Sequence, residues 1–187
     1  MKFIKKLPLL LLVFTAACFP SIIREEPAPA AEEANLITNT DINYAYSFAE
    51  DIFTSDQWER TLTSQSDRVM VTWIKSNSGN LAYLDYRIYP EGYTQEIVDW
   101  YHSDENFETI LYSGYDDLSR IAECKKGSLQ LYEFSANYKE TPYLIYNWVD
   151  TSEKYRMADI AIIFTAEEKA ELERYAKEVF PSLPSCK

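Results

Sequence analysis

The single histidine of the chain is His102, so imidazole chemistry has one candidate residue. Catalysis by a Ser/His or Cys/His pair would need this side chain beside a nucleophile, and a zinc site built on imidazoles would need further histidines. His102 follows Trp100 and Tyr101 near the end of a predicted helix, and we interpret it as a surface or helix-terminal residue. The chain contains no GxGxxG, P-loop, GxSxG or HExxH motif. We therefore predict no metal ion and no cofactor, and we favour a protein without catalytic activity.

Carboxylates are the other groups that could do chemistry, since the chain has 30 Asp and Glu residues. A glycoside hydrolase uses two acids that face each other across a cleft, about 5–10 Å apart. Acids are closely spaced around Asp99, Asp104 and the pair Asp116-Asp117, but the sequence does not show which of them meet. A carboxylate-dependent hydrolase therefore stays as the alternative function. Loose calcium binding at residues 104–117 also stays open, although no EF-hand loop occurs there.

Aromatic residues are frequent: the chain has 15 Tyr, nine Phe and four Trp. Tyr and Trp combine a large contact area with a polar group, and binding surfaces use them for that reason. Tyr143, Tyr146 and Trp148 lie on a predicted strand and form our candidate aromatic binding face. Because side chains alternate along a strand, Tyr146 and Trp148 share one side and Tyr143 lies on the other. The other interpretation is that these residues fill a half-buried pleated surface, as their strand propensity allows.

The three cysteines, Cys18, Cys124 and Cys186, divide unequally along the chain. If Cys18 has a separate role, the remaining two can form one intramolecular disulfide, Cys124–Cys186, in an oxidising compartment. Two separate thiols are the alternative. A metal site on these cysteines is disfavoured, because no CxxC pair accompanies them.

The first 18 residues have the layout of a secretory signal. Lys2, Lys5 and Lys6 form a basic region, the apolar segment 7–14 follows, and the small residues Thr15-Ala16-Ala17 precede Cys18. The apolar segment is much shorter than the roughly 20 residues that a membrane-spanning helix needs. The sequence therefore predicts export with removal of residues 1–17.

The segment Phe14-Thr15-Ala16-Ala17-Cys18 resembles the lipobox of bacterial lipoproteins, although Thr15 stands where that family usually has Leu. The resemblance covers only the signal. It implies that Cys18 is acylated and becomes the first residue of a protein anchored to the cell membrane or outer membrane. The exported domain would then face the periplasm or the exterior, with the lipid bilayer as its partner through Cys18. An ordinary signal cleaved near Ala17, with Cys18 incidental, is the alternative.

Charge excludes one class of partner. The formal charge is −12, with 18 Lys and Arg against the 30 acids. Removal of the signal also removes its three lysines and lowers the charge to −15. Nucleic-acid binding is disfavoured, because neutralising phosphates needs a basic surface.

Composition divides the chain into three parts. Residues 1–17 are the signal peptide, residues 18–41 are the lipidated cysteine with a tether rich in Pro, Ala and Glu, and residues 42–187 form one globular domain. Alternating Pro and Ala with acidic pairs at 25–33 favours an extended tether.

Hydrophobic periodicity predicts an α+β domain, with a mainly antiparallel sheet and helices packed on it. Thr94 is expected to cap a short helix that ends near His102, and a capping box at Thr165–Glu168 is expected to begin a C-terminal amphipathic helix that ends before Pro181. Predicted strands are 58–62, 68–75, 81–89, 128–136, 143–149 and 156–164.

The order of elements resembles that of PsbP-type lipoproteins and similar α/β/α sandwiches. No motif carries this resemblance, so it bears on the fold alone. The expected function is that of a membrane-anchored envelope lipoprotein acting as a non-catalytic binding or assembly module for a protein or small molecule. A structural surface protein is a third hypothesis, beside the hydrolase.

Overall fold

The computed structural model describes residues 37–187, so the predicted signal, Cys18 and most of the tether lie outside the described residues. The described chain contains seven strands and several helical segments. The strands are β1 Trp58–Ser64, β2 Arg68–Lys75, β3 Leu81–Ile88, β4 Asp116–Lys126, β5 Leu129–Tyr138, β6 Thr141–Glu153 and β7 Arg156–Thr165. The α-helices are α1 Asn39–Ser47, α2 Gln95–Tyr101, α3 Asp104–Asn106 and α4 Lys169–Val179, with a π-helical turn at Phe107–Leu111 and a 3₁₀ turn at Ala166–Glu168.

All seven strands form one sheet in the order β1-β2-β3-β7-β6-β5-β4. Every neighbouring pair is antiparallel. The last strand of the chain, β7, therefore lies in the middle of the sheet, between β3 and β6. The predicted α+β fold with a mainly antiparallel sheet is confirmed.

The two faces of the sheet bury separate hydrophobic clusters. The first contains Trp73, Trp148 and Phe164, together with residues of α1 and α4. The second contains Tyr132, Phe134 and Ile145, together with Tyr101 from α2 and Phe107 from the π-helical turn. Strand β7 contributes side chains to both clusters, because successive side chains of a strand point to opposite sides of the sheet. Large aromatic side chains fill most of this interior, which accounts for their number in the sequence.

Two elements differ from the sequence-based expectation. Helix α1 begins at Asn39, inside the segment predicted as tether, and a capping box between Thr38 and Asp41 starts it. Strand β4 occupies 116–126, a segment for which no strand was predicted. It is an edge strand with many exposed charged residues, so the hydrophobic alternation that reveals a strand is weak there.

The predicted capping box at Thr165 is wrong in its detail, since the Thr165 side chain caps no backbone N–H. The side chain of Asn80 forms the hydrogen bonds at this position instead. Its Oδ1 accepts from the Thr165 backbone N–H at 3.0 Å, and its Nδ2 donates to Glu168 Oε2 at 2.5 Å. A buried amide just before the neighbouring strand β3 thus replaces the local cap.

Within residues 37–187, no helix combines the length and the apolar character needed to cross a membrane.

Candidate functional site

The candidate aromatic face predicted from Tyr143, Tyr146 and Trp148 is wrong as a binding surface. These side chains are only 6%, 2% and 0% exposed. Tyr146 and Trp148 belong to one hydrophobic cluster and Tyr143 to the cluster on the opposite face. Strand β6 is covered by helical segments on both sides, so the aromatic side chains of both its faces are core residues. The alternative interpretation placed them on a half-buried pleated surface, and the structure buries all three more completely than that.

The sulfur atoms of Cys124 and Cys186 are at bonding distance, and their Cα atoms are 5.4 Å apart. This arrangement is consistent with the predicted bridge. It joins the edge strand β4 to the C-terminal segment that follows α4. That segment is also held by hydrogen bonds: Trp148 Nε1 donates to the Leu183 carbonyl at 2.8 Å, and the Cys186 N–H donates to Glu133 at 2.7 Å.

A groove of about 530 Å³ lies between α2 and the β4–β5 edge of the sheet. One wall is α2 with the residues that flank it, and the other comes from β4, β5 and the end of β6. The lining residues are Tyr93, Gln95, Val98, Asp99, His102, Arg120, Glu123, Lys125, Gln130, Tyr132 and Thr151. We call this the α2 groove. Three of the four buried polar side-chain atoms that lack a hydrogen-bond partner among residues 37–187 belong to residues that line it.

Tyr132 is the most buried of these three residues. Its side chain is fully buried and its hydroxyl has no hydrogen-bond partner within the described chain. Its ring lies 5.3 Å from that of His102, and the Arg120 guanidinium carbon lies 4.9 Å from its centroid. Burial raises the pKa of the Tyr132 hydroxyl, so the group stays protonated and can donate a hydrogen bond. A buried hydroxyl without a partner is costly, which is why native structures rarely contain one.

Arg120 forms the base of the groove. Its Nη1 donates to Glu123 at 2.6 Å, and its Nη2 donates to Asp104 at 2.5 Å and to the His102 carbonyl at 3.0 Å. Its Nε–H is left without a partner among the described residues. The guanidinium thus links β4 to the end of α2 and still has one donor available.

His102 is the C-cap residue of α2, as the helix-terminal interpretation predicts. It is half-buried, and its Nε2 has no partner in the described part of the chain. Burial lowers the pKa of the imidazole to about 4; the nearby positive charges of Lys125 and Arg120 also lower it, while Glu123 and Asp99 raise it. The side chain is therefore neutral at physiological pH.

The sequence predictions did not find this groove because its residues come from separate elements. Register places Glu123 directly opposite Tyr132 on the β4–β5 ladder, but β4 was not predicted as a strand. Arg120 and Lys125 consequently had no assigned position. Two lining residues were considered as chemical groups: His102, which was interpreted as a surface or helix-terminal residue, and Asp99, one of the acids of the hydrolase hypothesis.

A second polar cluster lies inside the domain, around Asp159. Its Oδ2 accepts from Tyr101 at 3.0 Å and from Tyr83 at 3.3 Å, and its Oδ1 accepts from Asn147. Tyr112 completes a closed ring, because its hydroxyl lies 3.2 Å from that of Tyr83 and donates to Asn147 Oδ1 at 2.8 Å. Burial, and then the charge of Asp85, raises the pKa of Asp159 to about 7.

Asp85 and Asp159 are the acid pair that most resembles a hydrolase site, since they are register partners on β3 and β7. However, they are only 1% and 0% exposed. Asp85 is held between Arg68 and Arg87, each at 2.7 Å. Neither acid lines the α2 groove. This pair is therefore enclosed in the core instead of facing a substrate cleft.

Among residues 37–187, no group of three or more His, Cys, Asp or Glu side chains is arranged to hold a metal ion. The acids at 104–117 form no such cluster. Asp104 is instead paired with Arg120.

Comparison with known proteins identifies no relative: no protein-family model matches the chain, and no curated sequence does either.

Proposed function

We propose that this protein is a membrane-anchored envelope lipoprotein whose exported α+β domain acts as a non-catalytic binding or assembly module. The observation that carries the proposal is the α2 groove, whose lining includes three residues, His102, Arg120 and Tyr132, that each have a buried polar atom without a hydrogen-bond partner in the described chain. Such groups are rare in native proteins unless a ligand or water satisfies them. A concave site with a few convergent polar groups is the usual form of a small-molecule site.

The anchoring part of the proposal rests on the lipobox-like segment that ends at Cys18. Acylation there would hold the protein at the cell membrane or outer membrane, with the domain in the periplasm or outside. The acidic charge of the exported part gives no basis for a second, electrostatic contact with anionic lipids.

The C-terminal helix is proposed to be amphipathic and to close one face of the domain. Leu172, Tyr175 and Ala176 of α4 are buried against the sheet, and Arg174 and Glu178 form an ion pair at 2.7 Å. The spacing of the buried residues supports one apolar face.

A carboxylate-dependent hydrolase is the alternative proposal. It requires two acids that face each other in an open cleft, at least one of which has a raised pKa. Asp159 meets the second condition only, because it and Asp85 are enclosed. The groove therefore supports binding better than hydrolysis.

The test of binding uses His102 as a reporter, since it is the single histidine of the chain. The protein is purified in detergent as the cell produces it, and its imidazole resonances are followed while fractions of a small-molecule extract of the same cells are added. We expect at least one fraction to shift these resonances saturably.

The matched variants are Gln95→Trp, which fills the groove from its rim, and Glu96→Trp on the adjacent residue, which does not line it. Gln95→Trp should abolish the shift and Glu96→Trp should keep it. A set of fractions that never shifts His102, or a shift equal in both variants, contradicts a binding role for the groove.

A further inference from the structure

Most carboxylate oxygens of the α2 groove already accept hydrogen bonds from the protein. Glu123 accepts from Arg120 through one oxygen and from Gln130 through the other, both at 2.6 Å. Asp99, exposed at the rim, accepts from Gln95 at 2.7 Å. The acids of the groove thus face cations and amides of the protein itself.

The groups left over are mainly donors. The Tyr132 hydroxyl and the Arg120 Nε–H have no partner among the described residues, and both can donate; the third unpaired atom, His102 Nε2, donates or accepts according to the tautomer of the ring. Lys125 adds an exposed ammonium to the same wall. The Tyr93 hydroxyl is already engaged, because it donates to the carbonyls of Thr151 at 2.8 Å and Glu153 at 2.6 Å.

We propose that the α2 groove binds the oxyanion group, a carboxylate or a phosphate, of a small ligand. This inference rests on the proposed function and names the ligand class for the same groove. An oxyanion supplies several acceptors at once, which is what the Tyr132 hydroxyl, the Arg120 Nε–H and the Lys125 ammonium lack. Hydrogen bonds from charged donors to an anion are shorter and roughly twice as strong as neutral ones.

The hydrogen bonds that the groove residues already form make two other classes of ligand less favourable. A metal cation needs free acceptor oxygens, and both oxygens of Glu123 are occupied. A neutral polyol needs both donors and acceptors from the site, whereas the Arg120 Nε–H and the Lys125 ammonium can only donate and the Tyr132 hydroxyl is one group that can do both. A single buried water that bridges the unpaired groups is the remaining alternative, and the experiment separates it from a ligand.

The test titrates the protein, purified in detergent as the cell produces it, with sodium succinate, inorganic phosphate and glucose at constant ionic strength. Binding is followed through the His102 imidazole resonances. Succinate or phosphate should give a saturable shift, and glucose should give none. Whichever anion, succinate or phosphate, saturates the resonance shift at the lower concentration shows whether the ligand group is a carboxylate or a phosphate.

Tyr132→Phe removes the unpaired hydroxyl and keeps the ring contacts with His102 and Arg120. We expect the dissociation constant to rise about tenfold, as for the loss of one hydrogen bond to a charged group. Its control is Tyr138→Phe on the same strand, outside the groove, which should leave the dissociation constant unchanged.

Lys125→Gln provides an independent variant, since this side chain is exposed and its replacement leaves the core intact. It should weaken binding several-fold, whereas Lys126→Gln, which alters the net charge equally outside the groove, should not.

Absence of a saturable shift with both anions, or equal binding by Tyr132→Phe and the parent protein, overturns the oxyanion assignment. If a fraction of the cell extract still shifts His102 in that case, the binding function stands and only the ligand class is wrong. If neither the anions nor the extract shift it, both proposals fall.

Discussion

Asp159 is a carboxyl group in the middle of the sheet, surrounded by three tyrosine hydroxyls and an amide. Each partner that contacts it directly donates a hydrogen bond, which favours the ionised form, but complete burial and the nearby charge of Asp85 outweigh these bonds. Its pKa therefore rises from 3.8 to about 7. The folded protein holds this proton more tightly than the unfolded chain does.

This difference predicts a pH-dependent stability. Because the folded pKa is the higher one, the contribution of Asp159 is fully present below about pH 4 and is lost as the pH rises to about 7. A shift of this size corresponds to roughly 4 kcal/mol in the free energy of unfolding. Urea denaturation between pH 4 and 8 should show this loss in the parent protein, and Asp159→Asn should largely remove it.

Comparing the parent protein with Asp159→Asn isolates the contribution of this carboxyl. The comparison is needed because Asp41 and Glu168 have lowered pKa values, so their contributions to stability increase as the pH rises. Asp116→Asn, at an exposed acid, is the control and should keep the parent profile. An unchanged pH profile in Asp159→Asn would show that its carboxyl is not the group responsible.

At the scale of elements, β4 and the C-terminal segment depend on each other. β4 is an edge strand with irregular register near Ser119 and Arg120, and the Cys124–Cys186 bridge ties it to the end of the chain. Lys126 adds a hydrogen bond to the Ser182 carbonyl at 3.0 Å. The bridge therefore adds a covalent link to the hydrogen bonds that already hold the C-terminal segment against the sheet.

We predict that the exported protein contains this disulfide and that its loss destabilises the fold. The cysteines are 62 residues apart, and the chain-entropy account assigns roughly 4 kcal/mol to a loop of that length. Alkylation followed by mass analysis should modify neither Cys124 nor Cys186 before reduction and both after it. Cys124→Ser with Cys186→Ser should lower the free energy of unfolding by a similar amount. Two alkylated thiols in the unreduced protein would refute the bridge.

Helix α1 offers a smaller and independent check. Thr38 Oγ1 accepts from the Asp41 N–H at 3.2 Å, and Asp41 Oδ2 accepts from the Thr38 N–H at 2.9 Å. Thr38→Ala should cost about 1 kcal/mol of stability, the usual value for an N-cap. Thr40→Ala in the same helical turn should cost much less, and equal losses in chemical denaturation would contradict the cap.

Helices and strands that are marked by a pattern in consecutive residues could be predicted from the sequence. β2 and β3 were found because their side chains alternate and a turn separates them, and the Thr94 cap identified α2. β4 was missed because an exposed edge strand lacks alternation, and α1 because its capping box lies beside a tether-like composition. The α2 groove depends on strand register and on the packing of α2 against the sheet, neither of which a linear pattern contains.

The whole molecule is expected to depend on Cys18 for its attachment. Removal of the predicted signal would leave a formal charge of −15, so an anionic bilayer would repel the remaining protein. Cys18→Ala should therefore move the protein from the membrane fraction to the soluble fraction at every salt concentration. Cys124→Ala, the same substitution inside the domain, should stay with the membrane. Retention of Cys18→Ala by membranes would contradict the lipid anchor.

The position of β7 has a consequence for the route by which the protein acquires its structure. The strands β1–β3 and β4–β6 form two antiparallel groups, each connected by local pairing, and among the strands of residues 37–187 β7 alone joins them. Since β7 ends at Thr165, the two halves stay separate until nearly the entire polypeptide is available. Long-range pairing of this kind slows folding. If the chain is exported as proposed, the sheet would close only after translocation is almost complete, because β7 is the last strand to emerge.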